Sequence, residues 1–424
     1  MNARRITSIV LLAFLSSIGA SCVIHSDGSG TNFVFASSRE KAERRETLPL
    51  ELAAGEALTV AIPYGDIEVR VSDSEAAHVD AHWRAGGEDK AMAEAVLARY
   101  ELGLERGNGS LSVTSVGEPL EIKGLVSTKR IGASVDLVLV VPPGVKLVAS
   151  STSGNLSATG ALGSCRLESS YGDLTAAGVR GETSLETASG NARVQDVEAA
   201  SVVATSQYGD IAASNLQASN VRLETSSGNV KVREVAGDLS IKSSYGDLEI
   251  DGAGGNLEAV TSSGNVSLRA EGKARRRLVT SYGDVRVHGA AGELSASTSS
   301  GNVTVDDFDG SLNAESSYGD VEISARLSDL NAVTTSGNVG VRAAPGSEVS
   351  SRWSVASSYG DVRVALPSAD FACQLEASAS SGEVRCEGSS DGGKAKHKLA
   401  RSLNGGGNPV EIRSASGDVH ISFH

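Results

Sequence analysis

The sequence predicts an all-β protein: a parallel β-solenoid of about 18-residue, two-strand coils, with an N-terminal β-rich cap containing one helix. Three observations carry that expectation. A tripeptide, Tyr-Gly-Asp or Ser-Gly-Asn, recurs with its glycines at Gly154, Gly172, Gly190, Gly209, Gly228, Gly246, Gly264, Gly283, Gly301, Gly319 and Gly337, always 18 or 19 residues apart. Between these turns apolar residues fall in pairs separated by one residue, as in Val230/Val232 and Leu239/Ile241, the period of a half-buried strand. The chain of 424 residues has 48 glycines against 8 prolines and only 4% aromatic residues, which suits short strands and tight turns.

No single coil buries its apolar side alone, so neighbours must stack, at about 4.8 Å per coil. Gly360, Gly382 and Gly417 continue the series after longer insertions. About fourteen coils then make a rod roughly 65 Å long. The hexapeptide signature of left-handed triangular β-helices is absent, which leaves the handedness open. Each corner glycine is expected where a tight turn needs positive φ, with the neighbouring Asp or Asn bonding to turn amides. On that reading the motif is turn chemistry, not an active site.

The alternation is stricter than turns require. Seven of the eight tyrosines precede Gly-Asp, and every second coil of the regular region carries Ser-Gly-Asn instead. Stacked Asp carboxylates would lie about 4.8 Å apart and repel; interposed Asn spaces them at about 9.6 Å, near a Debye length at physiological salt. Tyr set against Ser gives each ring room. One edge is therefore expected to carry alternating Tyr/Ser and Asp/Asn columns. Its candidate binding ladder is Tyr171, Asp173, Tyr208, Asp210, Tyr245, Asp247, Tyr282, Asp284, Tyr318, Asp320, Tyr359 and Asp361. Such a row suits a glycan or a protein chain. Calcium on the ladder is disfavoured, because the Gly-Gly-x-Gly-x-Asp nonapeptide is missing and alternate coils lack the carboxylate.

The segments outside the repeat set the compartment. Arg4 and Arg5, the apolar run Ile6 to Ile18 and the small residues Gly19, Ala20 and Ser21 form a signal peptide over residues 1–21, too short for a membrane span. Small residues running into Cys22 are similar to a bacterial lipoprotein cleavage box, although Gly19 stands where Leu is usual. The expectation is lipidation of Cys22. Val23 after it, by the sorting rule this resemblance implies, favours the outer membrane, with a soluble periplasmic or secreted protein as the alternative. Residues 22–46 read as a tether, 47–148 as the cap with a helix from Glu88 to Tyr100, 149–387 as the solenoid, and 388–424 as a loop with terminal strands.

Other chemistry is sparse. A net charge of −14 argues against coating nucleic acid. There is no His-Glu-x-x-His, Cys-x-x-Cys, Gly-x-Ser-x-Gly or phosphate loop, so no enzyme activity, cofactor or metal is expected. His78 and His82 share one side of a strand, with Trp83 beside them, and read as solvated or packed in the cap. Cys165 stands at a core leucine position, and Cys373 and Cys386 have inward parity and are candidates for a disulfide. Two basic groups, Lys273 with Arg275, Arg276 and Arg277, and Lys394 with Lys396 and Lys398, read as solvated bulges. The arginines are expected to be pushed outward by the extra residue of a 19-residue unit.

Alternating Ser-Gly-Asn-Val and Ser-Tyr-Gly-Asp-Val units, after a Val135 to Gly144 strand reading Val-Asp-Leu-Val-Leu-Val-Val-Pro-Pro-Gly, resemble a bacterial domain-of-unknown-function family labelled "putative adhesin". The resemblance covers most of residues 47–424 and implies a β-strand-repeat envelope protein with no catalytic residues. The expected function is thus non-catalytic: an exported, monomeric adhesin, presenting a repetitive surface to an envelope, glycan or protein ligand and held to the membrane by its lipid. The alternatives are a structural or regulatory envelope protein engaging another membrane component, and a β-helix enzyme acting on polysaccharide.

Overall fold

The computed structural model describes residues 40–123, 128–367, 371–387 and 397–424, and the backbone of Ser26–Asp27, Thr31–Phe33 and Lys394–Ala395. The expected export signal, Cys22, most of the expected tether and the side chains of Lys394 and Lys396 lie outside the described residues. The described residues fall into two compact units: one from those up to 45 with those of 82–101 and 116–134, the other from those of 46–81, 102–115 and 135–424.

The larger unit is the solenoid. Each coil, or rung, gives one strand before the corner glycine and one after it, and each strand joins its own parallel ladder. Lys146–Ser153, Ser164–Tyr171 and Thr183–Thr187 pair in register on one side of the corner. Leu156–Thr159, Leu174–Ala177 and Ala192–Ser206 pair on the other. Inward positions hold mostly Leu, Ile, Val and Ala: Leu239, Ile241, Val230 and Val232 are all buried. Outward positions alternate with them, as a sheet with one buried face demands.

A second corner lies six residues after the glycine. There the backbone enters the left-handed region, at Gly178 (φ 74°), Asp196 (φ 54°), Asn215 (φ 52°), Glu234 (φ 54°) and Gly252 (φ 82°). The strain of a side chain at positive φ falls on this corner, where glycine alternates with Asp, Asn and Glu instead of recurring in every rung.

Rung order departs from chain order at both ends. Ala57–Tyr64 and Ile67–Val71 form a rung directly under Lys146–Ser153 and Leu156–Thr159. Ser110–Gly117 and Ala133–Val141 pair on the far side of that rung. The boundary drawn at residue 148 from the sequence therefore cuts through the stack. At the other end, Pro409–Ser414 and Val419–Phe423 insert between the rung of Trp353–Ser357 and Val362–Leu366 and that of Cys373–Ala379 and Val384–Cys386. Lys398–Leu403 then runs antiparallel against Cys373–Ala379, covering the last parallel edge with a charged strand. Trp353 and Phe371, both buried with centroids 5.2 Å apart, fill the interior there.

The smaller unit holds the helix Lys90–Leu97, shorter than its periodicity suggests. Asp89 caps it, accepting from the Met92 N–H at 2.8 Å. Arg44 stacks over the buried Trp83 ring at 5.2 Å and donates to the carbonyls of Leu97 and Tyr100, placing its charge at the helix C-terminus. The backbone of Thr31–Phe33 pairs with Thr128–Ile131, which pairs with Leu120–Lys123.

Candidate functional site

The corner that carries the repeat is built from four columns of side chains, each with a separate physical cause. The first is glycine. A Cβ on these glycines would run into the backbone carbonyl one rung below: Gly172 meets Gly154, Gly283 meets Gly264, and Gly360 meets Gly337. Fifteen glycines form the column, in the order Gly65, Gly154 through Gly360, Gly417, Gly382; fourteen abut the preceding glycine, and Gly65 abuts the carbonyl of Val135. Only five of the fifteen have positive φ, and four of those, at 149° to 159°, are nearly extended. The expected turn strain is therefore corrected: the glycine is required by close approach of neighbouring rungs.

The second column is internal and was not anticipated. Three residues before each glycine stands a buried Ser or Thr whose hydroxyl donates to the glycine carbonyl of the preceding rung. Thr187 reaches Gly172 O at 3.1 Å, Thr280 reaches Gly264 O at 2.8 Å, and Ser414 reaches Gly360 O at 2.9 Å. The first and last glycines of the column have Ile62 and Ala379 at this position. These hydroxyls satisfy carbonyls that would otherwise be buried without a donor.

The third column is the Asp/Asn ladder. The backbone N–H of each member donates to the side-chain Oδ1 of the member below: Asn191 to Asp173 at 2.7 Å, Asp210 to Asn191 at 2.9 Å, Asn229 to Asp210 at 2.7 Å. The chain of bonds continues through Asp247, Asn265, Asp284, Asn302, Asp320 and Asn338 to Asp361. Asp418 then donates to Asp361, and Glu383 to Asp418. Each carboxylate thereby keeps one oxygen committed to the backbone and the other outside the ladder. A groove of about 590 Å³ runs beside Asp173, Asp210 and Asp247 and is lined also by Arg193 and Lys231. Farther along, burial and then the neighbouring Asp320 raise the Glu322 carboxyl above its ordinary range, against the pull of Arg363.

The fourth column alternates Tyr and Ser. Ser153 pairs with Tyr171, Ser227 with Tyr245, and Tyr245, Ser263, Tyr282 and Ser300 follow in unbroken succession. Tyr171 is 52% exposed, and Tyr208, Tyr245, Tyr282, Tyr318 and Tyr359 lie between 64% and 71%. Large aromatic side chains held this far into water, in one line, are uncommon on a folded surface. All twelve residues of the expected ladder thus share one corner.

The remaining candidates are placed differently. Arg276 is not pushed outward: it sits between Leu257 and Leu294 on the inward side and is 1% exposed. Strand parity is the reason, since three consecutive arginines cannot share a face. Its guanidinium donates to the carbonyls of Ala291 at 2.7 Å and Glu271 at 3.1 Å, at the second corner, and desolvation lowers its pKa. Arg275 and Arg277 do point outward, where Glu293 and Glu258 pair with them at 2.7 and 3.6 Å. Cys373 and Cys386 are free thiols, which corrects the disulfide expectation. Cys373 lies nine residues before its corner glycine and Cys386 four after it, an offset of about 16 Å along the strand, beyond the reach of a disulfide. Cys165 is buried between Leu147 and Thr183, and desolvation pushes its thiol up to about 12. His82 contacts Glu43 at 3.1 Å and His78 lies 3.8 Å from Asp80, both partly exposed. Among the described residues no His, Cys, Asp and Glu side chains group in a way that could hold a metal ion, and no helix is long and apolar enough to cross a membrane.

No curated protein matches this chain. Among solved structures it is similar to a "putative lipid binding protein" from Parabacteroides distasonis ATCC 8503, at 15% identity and a TM-score of 0.32, over 63% of this chain and 96% of that one. A "putative adhesin" from Bacteroides fragilis NCTC 9343 is 10% identical with a TM-score of 0.26, over 65% and 95% of the two chains. A "putative cell adhesion protein" from Clostridium sporogenes ATCC 15579 is 9% identical with a TM-score of 0.16, over 90% and 100%. The family profile described as Toastrack DUF4097 matches residues 56–290 and again 277–422, nearly the whole stack of rungs, and the chain belongs to that family.

Proposed function

We propose that this chain is a non-catalytic, exported envelope protein that works as an adhesin, binding its ligand along the tyrosine-bearing corner. The observation that carries the reading is the single line of six tyrosines, each more than half exposed, on a scaffold that fixes their spacing. A rigid row of amphipathic rings offers contact area at little cost in side-chain entropy. The acids of the same corner argue for binding and against catalysis, because one oxygen of each ladder carboxylate is held by a backbone N–H of the next rung. Export and attachment rest on the signal layout of residues 1–21 and on Cys22.

The test is retention of the purified chain on isolated cell envelopes, compared with the Tyr208→Ser/Tyr245→Ser/Tyr282→Ser variant. The variant is expected to lose most of its retention with an unchanged circular dichroism spectrum. Equal retention of the two proteins would contradict the reading.

A further inference from the structure

Taking the corner as a binding surface, on which this inference rests, we propose that its ligand is an extended, uncharged β-1,4-linked glycan lying along the solenoid axis. The argument starts from periodicity. Tyrosine occupies every second rung from Tyr171 to Tyr359, with Ser189, Ser227, Ser263, Ser300 and Ser336 on the rungs between. At about 4.8 Å per rung, like residues recur about every 9.6 Å. In an extended β-1,4-linked chain each pyranose advances by nearly the same length as one rung, and successive rings are turned over. The same C–H-rich ring face therefore recurs at every second sugar, in step with the tyrosines. An α-1,4-linked chain curls away from a straight row and loses that match.

The flanking columns fit the same occupant. Sugars that do not stack on a ring lie over the serine rungs, where the small side chain leaves room and offers a hydroxyl. Ser226, Ser244, Ser262 and Ser299, two residues before their glycines, add exposed hydroxyls on one side of the row. On the other side, the ladder leaves the second carboxylate oxygen of Asp173, Asp210 and Asp247 outside its backbone bonds, as an acceptor for sugar hydroxyls. Those carboxylates, on a chain of net charge −14, repel a polyanionic glycan. A peptide strand added to a sheet needs a row of unpaired backbone groups, and at this corner the N–H and C=O groups are bonded between rungs.

The experiment is calorimetric titration of the full chain with cellobiose, cellotetraose and cellohexaose, with maltohexaose and a β-1,4-linked mannuronic acid hexamer as contrasts. Affinity is expected to rise about tenfold or more from the dimer to the hexamer of glucose, as a second and third tyrosine are engaged. Neither contrast ligand should bind measurably. Tyr208→Ser/Tyr245→Ser/Tyr282→Ser should lose that gain, and the corresponding Tyr→Phe variant should keep most of it. A cellohexaose affinity no better than that of cellobiose, equal binding of maltohexaose, or binding indifferent to the Tyr→Ser variant would overturn the proposal. If the oligosaccharides fail while envelope retention still depends on these tyrosines, the glycan assignment falls and the binding corner stands. If both fail, both fall.

Discussion

At Gly283 one methyl group separates a stacked corner from a broken one. Alanine there would place its Cβ against the backbone of Gly264, which has no side chain to move aside. Gly283→Ala should cost about 2–3 kcal/mol, while Tyr282→Ser, one residue away and 67% exposed, should change stability by no more than about 0.5 kcal/mol. Thr280→Val keeps the shape and removes the donor to Gly264 O, a cost of about 1–2 kcal/mol. Hydrogen exchange at the amides of residues 266–298 reads all three. The glycines were legible in the sequence because their spacing is fixed, but their cause was not, since close approach between rungs leaves no local mark. The inner Ser/Thr column was present in every regular unit yet hidden, because Ser-Ser runs such as Ser169-Ser170 and Ser243-Ser244 mask which residue faces in. Parity with the inward Leu167 and Ile241 resolves it.

At the scale of the element, the ladder keeps carboxylates apart only where chain order and rung order agree. The C-terminal rung inserts out of sequence, so Asp361 and Asp418 become neighbours and Glu383 follows directly. Asp418→Asn preserves the acceptor for the Glu383 N–H and removes one of two adjacent like charges. It should stabilise the C-terminal rungs by up to about 1 kcal/mol at low salt and by almost nothing at 1 M. Thermal unfolding at the two ionic strengths measures the difference, and a salt-independent effect would point to a packing change instead. Arg276 teaches a related lesson. A run of arginines reads as a surface patch, but strand period carries the middle one inward, where carbonyls of the second corner take its donors.

At the scale of the whole molecule, the repeat dictated stacked two-strand rungs, and parallel pairing, with register shifts near Ala270, Asp306 and Gly310, realises them from Lys146–Ser153 to Val362–Leu366. The ends were not legible. Their rungs pair out of chain order, and such threading depends on long-range pairing that no local pattern encodes. The tyrosine row was legible for the opposite reason: alternation in the chain becomes alternation along a line once rungs stack in order. The measurement that tests this most directly is pulsed electron resonance between spin labels replacing Tyr208 and, in turn, Tyr245, Tyr282 and Tyr318, in a background free of the native thiols. These positions lie two, four and six rungs from Tyr208, so the distances should grow in equal steps to about 10, 19 and 29 Å. Distances that fail to increase in equal steps would show that the tyrosines do not form one straight line, and the account of the corner would fail.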